Sequence, residues 1–311
     1  MQFLNPKTDF AFKRIFGSTE SADILLSFLN AILDLKSPYR IAEVEIIDPY
    51  LAPKIKGMKD TYLDVRARDE QGKAYIIEMQ VLNVEGFEKR VLYNACKSYA
   101  GQLNQGEHYQ YLSDVIAITI TDFVMFPEQK SIVNSFKLRA ENGLVYHDDL
   151  ELIFAELPKF KRSEDELETL LDKWFYFLKC AGDLRAIPKV LAGEGAINHA
   201  FVIANKAGLS REELDDQERR EIFIQDQRGA LQLAKRVGKE EGLKEGKKEG
   251  LKEGKEEGLK EGVEQGIEQG ERLAAQRIAS SFLDILDDQT IAQKTGLSLE
   301  DVHMLRQQNS M

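Results

Sequence analysis

Asp64 and Glu78 carry the first chemical signal in this chain, because the segment from Tyr62 to Val81 reads as two strands joined by Asp69-Glu70-Gln71-Gly72-Lys73. With Glu70-Gln71-Gly72 as a three-residue loop and Gly72 in the left-handed position, every cross-strand pair sums to 142 and Asp64 lies opposite Glu78. Leu63, Val65 and Ala67 then share an apolar face with Tyr75, Ile77, Met79 and Val81, and that face belongs against a core. The other face carries Tyr62, Asp64, Arg66 and Arg68 beside Ile76, Glu78 and Gln80. Like charges directly opposite each other destabilise a sheet. A divalent cation would resolve the conflict, since Mg²⁺ is held by one or two carboxylates together with substrate phosphate. The residues alone leave a plainer reading equally open, in which both acids are solvated charges on an outer face, paired with Arg66 and Arg68.

The elements that must position this hairpin are legible on either side of it. Thr8 or Asp9 can cap a first helix, and Ile24, Leu25, Phe28, Ile32 and Leu35 fall on one stripe of a second, over Asp23 to Leu35. Strands are expected near 43–48, 61–68, 74–81 and 115–121, with a helix near 86–105 before the last. On that helix Leu92, Cys96, Tyr99 and Leu103 read as the buried stripe, leaving Arg90, Tyr93 and Lys97 aligned on the opposite face. Strand-like pieces at 131–139 and 144–146 and an aromatic-rich helix around 164–181 complete the globular part.

Composition narrows the class of protein. Hydrophobic residues at 43% and aromatics at 9% of 311 residues support a proper core. Cys96 and Cys180 make no close-spaced pair and the four histidines fall in no metal-ligand spacing, so neither a disulfide framework nor a zinc site is expected. No apolar run reaches the roughly 20 residues of a membrane span, and the first residues lack a secretory apolar stretch. The expected location is cytoplasmic, without a membrane partner. A net charge of −11 argues against broad non-specific nucleic-acid binding. Residues 1–162 carry only −3 of it, which leaves room for a local basic track.

Asp64 followed by Glu78-Met79-Gln80 resembles the D…(D/E)-x-K signature of PD-(D/E)XK nucleases, with Gln80 where lysine usually stands. The stretches TDFAFKRIFG (8–17), LLSFLNAIL (25–33), LDVRARDEQGKAYIIEMQ (63–80) and RVLYNACKSYAGQLNQGEHYQYL (90–112) resemble the bacterial Rpn family, recombination-promoting nucleases also labelled transposases. The resemblance implies an α/β fold: a PD-(D/E)XK restriction-endonuclease-like core, with a mixed central sheet flanked by helices, followed by a helical C-terminal region. It also implies a metal-dependent DNA endonuclease that hydrolyses phosphodiester bonds with Mg²⁺ or Mn²⁺, in recombination or transposition-like exchange. Asp64, Glu78 and Gln80 would be catalytic, and Asp64, Glu78 and the Met79 carbonyl would ligate the metal. An amide cannot bring positive charge to the transition state, so another cation should replace the signature lysine. Arg90 and Lys97, with Tyr93 beside them, are the candidates on the 86–105 helix, and Lys59 and Lys13 are weaker ones. Asp9 is the candidate auxiliary acid, ahead of Glu20. The alternative function is a catalytically decayed interaction or assembly protein with a nuclease-like fold, and RNA is a further substrate reading.

The expected division is a nuclease-like domain over 1–162, a helical extension over 163–237, a glycine-repeat linker over 238–270 and a small helix-turn-helix-like segment over 271–311. Nine glycines at four-residue spacing each lower helix stability by roughly 0.8–1 kcal/mol against Ala, more than i, i+4 pairs such as Glu240–Lys244 return. The repeat is therefore expected to be a fluctuating helical or flexible linker. Leu243, Leu251, Leu259 and Ile267 recur every eight residues and could support a homo-oligomer through the tail. In the last segment SLEDVHML has two acids and no Lys or Arg, which suits docking or dimerisation better than DNA reading.

Overall fold

The computed structural model describes residues 1–51 and 61–309, which fall into two compact units, Met1–Ala230 and Leu231–Met311. The first unit opens with α1 (Asp9–Phe16) and α2 (Ala22–Ile32). Thr8 caps α1, its hydroxyl accepting the Ala11 N–H at 3.4 Å, so Asp9 stands in the first turn with its carboxylate free for other work. There follow β1 (Val44–Ile47), β2 (Tyr50–Leu51), β3 (Thr61–Tyr62), β4 (Val65–Asp69) and β5 (Ala74–Gln80). Next come α3 (Phe87–Ala100), β6 (Val115–Thr121), β7 (Val133–Arg139) and β8 (Val145–Glu156). Strand β8 runs well beyond the expected 144–146 because its charged residues hide the alternation.

Six strands form one mixed sheet in the order β1-β4-β5-β6-β8-β7. Strands β5, β6 and β8 are parallel neighbours, and the β1–β4, β4–β5 and β7–β8 pairs are antiparallel. The β4–β5 register is the one expected, with Val65 opposite Ile77 and Arg68 opposite Ala74. Its turn explains why. Gly72 sits at φ +86° and donates to the Asp69 carbonyl, while the Asp69 carboxylate accepts the N–H groups of Gln71 and Lys73 and the Tyr75 hydroxyl.

The expected strand 61–68 is instead broken. Thr61–Tyr62 pairs with Tyr50–Leu51 in a separate two-stranded sheet, and the chain bends through Leu63 and Asp64 before β4 begins. The bend turns Leu63 away from the expected face into a cluster with Ile76, Ala95 and Val115.

Both sheet faces are covered. On one, Val65, Ala67, Tyr75, Ile77 and Met79 join a large core with α1, α2, α4 (Leu170–Cys180) and α6 (Gly195–Ala204), the last preceded by the short α5 (Lys189–Ala192). Trp174 is its centre, within 6 Å of the rings of Phe16, Phe28 and Phe177. Residues beyond 162 thus fill the same core as those before it. On the other face lies α3, the crossover helix between parallel β5 and β6. It buries Phe87, Val91, Asn94, Ala95 and Ser98, whereas Leu92 and Cys96, expected inside, are exposed. Small residues let this helix lie close on the sheet, a packing demand that a search for bulky apolar side chains overlooks.

Helix α7 (Arg211–Phe282) contributes its first turns to this unit: Gln217 bonds Thr8, and Arg228 bonds Asp122. In the second unit the end of α7, α8 (Asp288–Thr295) and α9 (Leu299–Asn309) enclose Ala279, Leu283, Ile291, Leu297 and Val302. The turn between α8 and α9 is made by Gly296 at φ +75°. From 231 to 274 every residue of α7 is exposed, the glycine repeat included. Among the described residues no helix is long and apolar enough to cross a membrane.

Candidate active site

The bend before β4 and the even-numbered side of β5 bring Asp64 and Glu78 to the α3 face of the sheet, beneath the helix. Neither acid is a solvated outer-face charge. Asp64 keeps 18% side-chain exposure, and its Oδ2 accepts the Met79 N–H at 2.9 Å. Glu78 Oε1 accepts from Asn94 Nδ2 at 3.1 Å. Burial raises Asp64 to about 6 against the pull of the Met79 N–H and Lys13. Burial, and then the Asp64 charge, raise Glu78 to about 7.

Cationic and amide groups surround the pair. Lys13 Nζ reaches in from α1 to 3.5 Å from Asp64 Oδ1 while holding Asp9 at 2.6 Å. Burial alone would lower this lysine, and the two carboxylates override it and hold its ammonium above the ordinary lysine value. Asp9 is held in turn by Arg220 of α7 at 3.1 Å. Gln80 is fixed at both ends of its amide, accepting from Arg90 Nη2 at 2.7 Å and donating to the Leu82 carbonyl at 2.8 Å.

These groups open on a cleft of about 920 Å³ lined by Asp9, Asp64, Glu78 and Gln80 together with Tyr62, Arg90 and Tyr93, among others. Of the residues expected from sequence, the structure brings Asp9, Lys13, Asp64, Glu78, Met79, Gln80, Arg90 and Tyr93 together. Lys97 is turned to Thr61, its Nζ donating to the hydroxyl at 3.1 Å. Glu20 is exposed and is not part of the cleft lining. Lys59 lies outside the described residues. Sequence reasoning missed Asn94 and Tyr62. Asn94 had a signal, a polar residue one turn after Arg90 inside the stretch that packs on the sheet; Tyr62 had one in its place on the strand face of Asp64, which was not read as functional.

No three His, Cys, Asp or Glu side chains cluster as a ready metal site among the described residues. The donor set nonetheless fits a hard divalent cation. Two desolvated, mutually repelling carboxylates and the peptide of Met79 offer oxygen ligands, and Mg²⁺ takes its remaining positions from water and substrate phosphate. Tyr and Asn beside them add no soft ligand that would favour zinc.

No curated protein and no solved structure matches the chain. A family model described as PD-(D/E)XK nuclease family transposase matches residues 6–234, which spans the sheet, both helical layers and the first turns of α7. The chain belongs to the PD-(D/E)XK nuclease family transposases.

Proposed function

We propose that the protein is a divalent-metal-dependent endonuclease that hydrolyses DNA phosphodiester bonds in recombination or transposition-like exchange. The observation that carries this reading is the pair of desolvated carboxylates, Asp64 and Glu78, meeting under α3 in a cleft that also holds cations. Asp64 and Glu78, with the Met79 carbonyl, would hold Mg²⁺ or Mn²⁺. The ion bound there would lower the pKa of a coordinated water and neutralise charge developing on the phosphate.

The remaining work falls to this chain's own side chains. The Met79 N–H fixes one oxygen of Asp64 and Asn94 fixes one of Glu78, so each acid presents its other oxygen in a set direction. Gln80, clamped between Arg90 and the Leu82 carbonyl, would orient the attacking water through its amide. Lys13 beside Asp64 and Arg90 bonded to Gln80 together would supply the positive charge that Gln80 cannot. Asp9 would act through Lys13, holding the ammonium beside Asp64.

The test is supercoiled-plasmid cleavage by wild type and Asp64→Ala, with Mg²⁺, with Mn²⁺ and with chelator. Metal-dependent cutting that vanishes in the variant is the expected result, and a well-folded wild type that cuts under no condition would overturn the reading. One observation favours the second reading, a decayed assembly protein: Gln80 stands where the signature has lysine.

A further inference from the structure

The walls of the cleft are unlike its floor. Tyr62 on β3 is 72% exposed, with its ring stacked on Tyr50 at 4.8 Å and 29°. Tyr93 on α3 is 38% exposed, and both rings line the same cleft as Asp64 and Glu78, with Val84 and Phe87 between polar neighbours. The Lys97–Thr61 hydrogen bond ties β3 to α3, so the two tyrosines belong to one braced frame. Lys89 and Arg90 stand in the same lining, at the start of α3.

A phosphate backbone needs none of this aromatic surface. A duplex offers a protein its phosphates and the edges of its bases, because the ring faces are already stacked on neighbours. Only an unpaired base has a free face for a tyrosine. The cleft volume of about 920 Å³ falls in the range of sites that enclose small molecules, which is room for a nucleotide. Among the described residues of the lining the cations are Lys89 and Arg90, enough to hold one or two phosphates. Each stacked base adds roughly ten- to a hundredfold in affinity, whatever its sequence.

We propose that the cleft takes an unpaired nucleotide of a DNA strand, its base stacked on Tyr62 with Tyr93 beside it and its phosphate drawn to Lys89 and Arg90. Single-stranded, frayed or mismatched DNA is then the preferred substrate class. The inference rests on the nuclease reading for where the scissile phosphate lies, but stacking and cutting separate by experiment.

The measurement is fluorescence of a DNA oligonucleotide carrying 2-aminopurine, single-stranded or annealed, titrated with the full-length chain in an Asp64→Asn background with Mg²⁺. Single strands should bind at least tenfold tighter than the duplex and be quenched on binding. Tyr62→Ala should lose about tenfold in affinity and most of the quenching, while Tyr62→Phe, which keeps the ring, should retain both. Equal binding of strand and duplex, a Tyr62→Ala protein that binds and quenches like its parent, or tighter binding of the matching RNA strand would each overturn the proposal. With Asp64 restored, metal-dependent cutting of fully paired DNA that Tyr62→Ala leaves unchanged would sink the stacking site and keep the nuclease. Quenched single-strand binding without cutting under any metal would do the reverse.

Discussion

The carboxylates of the β4–β5 hairpin and those of the glycine repeat are the same chemical groups in opposite surroundings. Under α3, Asp64 and Glu78 are stripped of most of their water and shifted to about 6 and 7. In the repeat every residue from 238 to 270 is exposed, and Lys252–Glu256 is an i, i+4 pair at 3.9 Å with both side chains in solvent. Such a pair contributes at most a few tenths of a kcal/mol. Charge density alone therefore says little about function. Two acids on a covered sheet face store free energy that a cation can release, and many acids on a solvated helix store almost none.

The largest break in this comparison should come from Asp64→Ala or Glu78→Ala, each lowering plasmid cleavage by at least about 10³-fold, the scale of losing a transition-state charge stabiliser. Next is Lys13→Ala or Arg90→Ala, expected to lower cleavage about 10- to 100-fold, with the double variant worse than either. Equal activity in both single variants would show that another cation serves.

Stability should carry the sign of the hairpin. Asp64 and Glu78 have folded-state values above their unfolded ones, so the native state binds more protons between about pH 4 and pH 7 and metal-free stability falls as pH rises through that window. Thermal melts in chelator should show a lower Tm at pH 8 than at pH 5, and Mg²⁺ should recover more of it at pH 8. Glu78→Gln should abolish much of the slope and gain about 1–2 kcal/mol at pH 8. Asp64→Ala should not gain as much, because it leaves the Met79 N–H without its acceptor.

The smallest effect belongs to the repeat. A Cβ added at Gly250 or Gly258 meets nothing within 4 Å, so Gly→Ala there should strengthen the helix by roughly 0.8–1 kcal/mol per site. The readout is 222 nm ellipticity, and cleavage should not change. A Gly→Ala series that loses helicity would show these glycines packed against a second chain.

Much of the fold was legible because local rules were obeyed. Asp69, Gly72 and the alternation of β5 set a register that the structure keeps, and Val115–Thr121 reads as a strand to the residue. The candidate pair was legible for the opposite reason, as two like charges that the register sets against each other on the face away from the apolar one. What escaped depends on long-range packing. The phase of α3 follows from Asn94, Ala95 and Ser98 lying on the sheet, and the bend at Asp64 follows from Leu63 seeking Ile76 and Ala95. Neither preference is encoded in its own neighbourhood. The aromatic wall was hidden too, since Tyr62 and Tyr93 share a surface only after β3 and α3 are brought together.

Arg220, Gln217 and Arg228, which hold Asp9, Thr8 and Asp122, give the start of α7 a meaning in terms of heredity and not only of contact. A chain ending after β8 would keep every residue of the acidic hairpin, yet it would lose the other half of the Trp174 core and the partner that steadies Asp9. The span that the family model matches, residues 6–234, includes these first turns of α7. An insertion, a gene break or a proteolytic nick between residues 163 and 230 should disturb the candidate site without touching any of its residues.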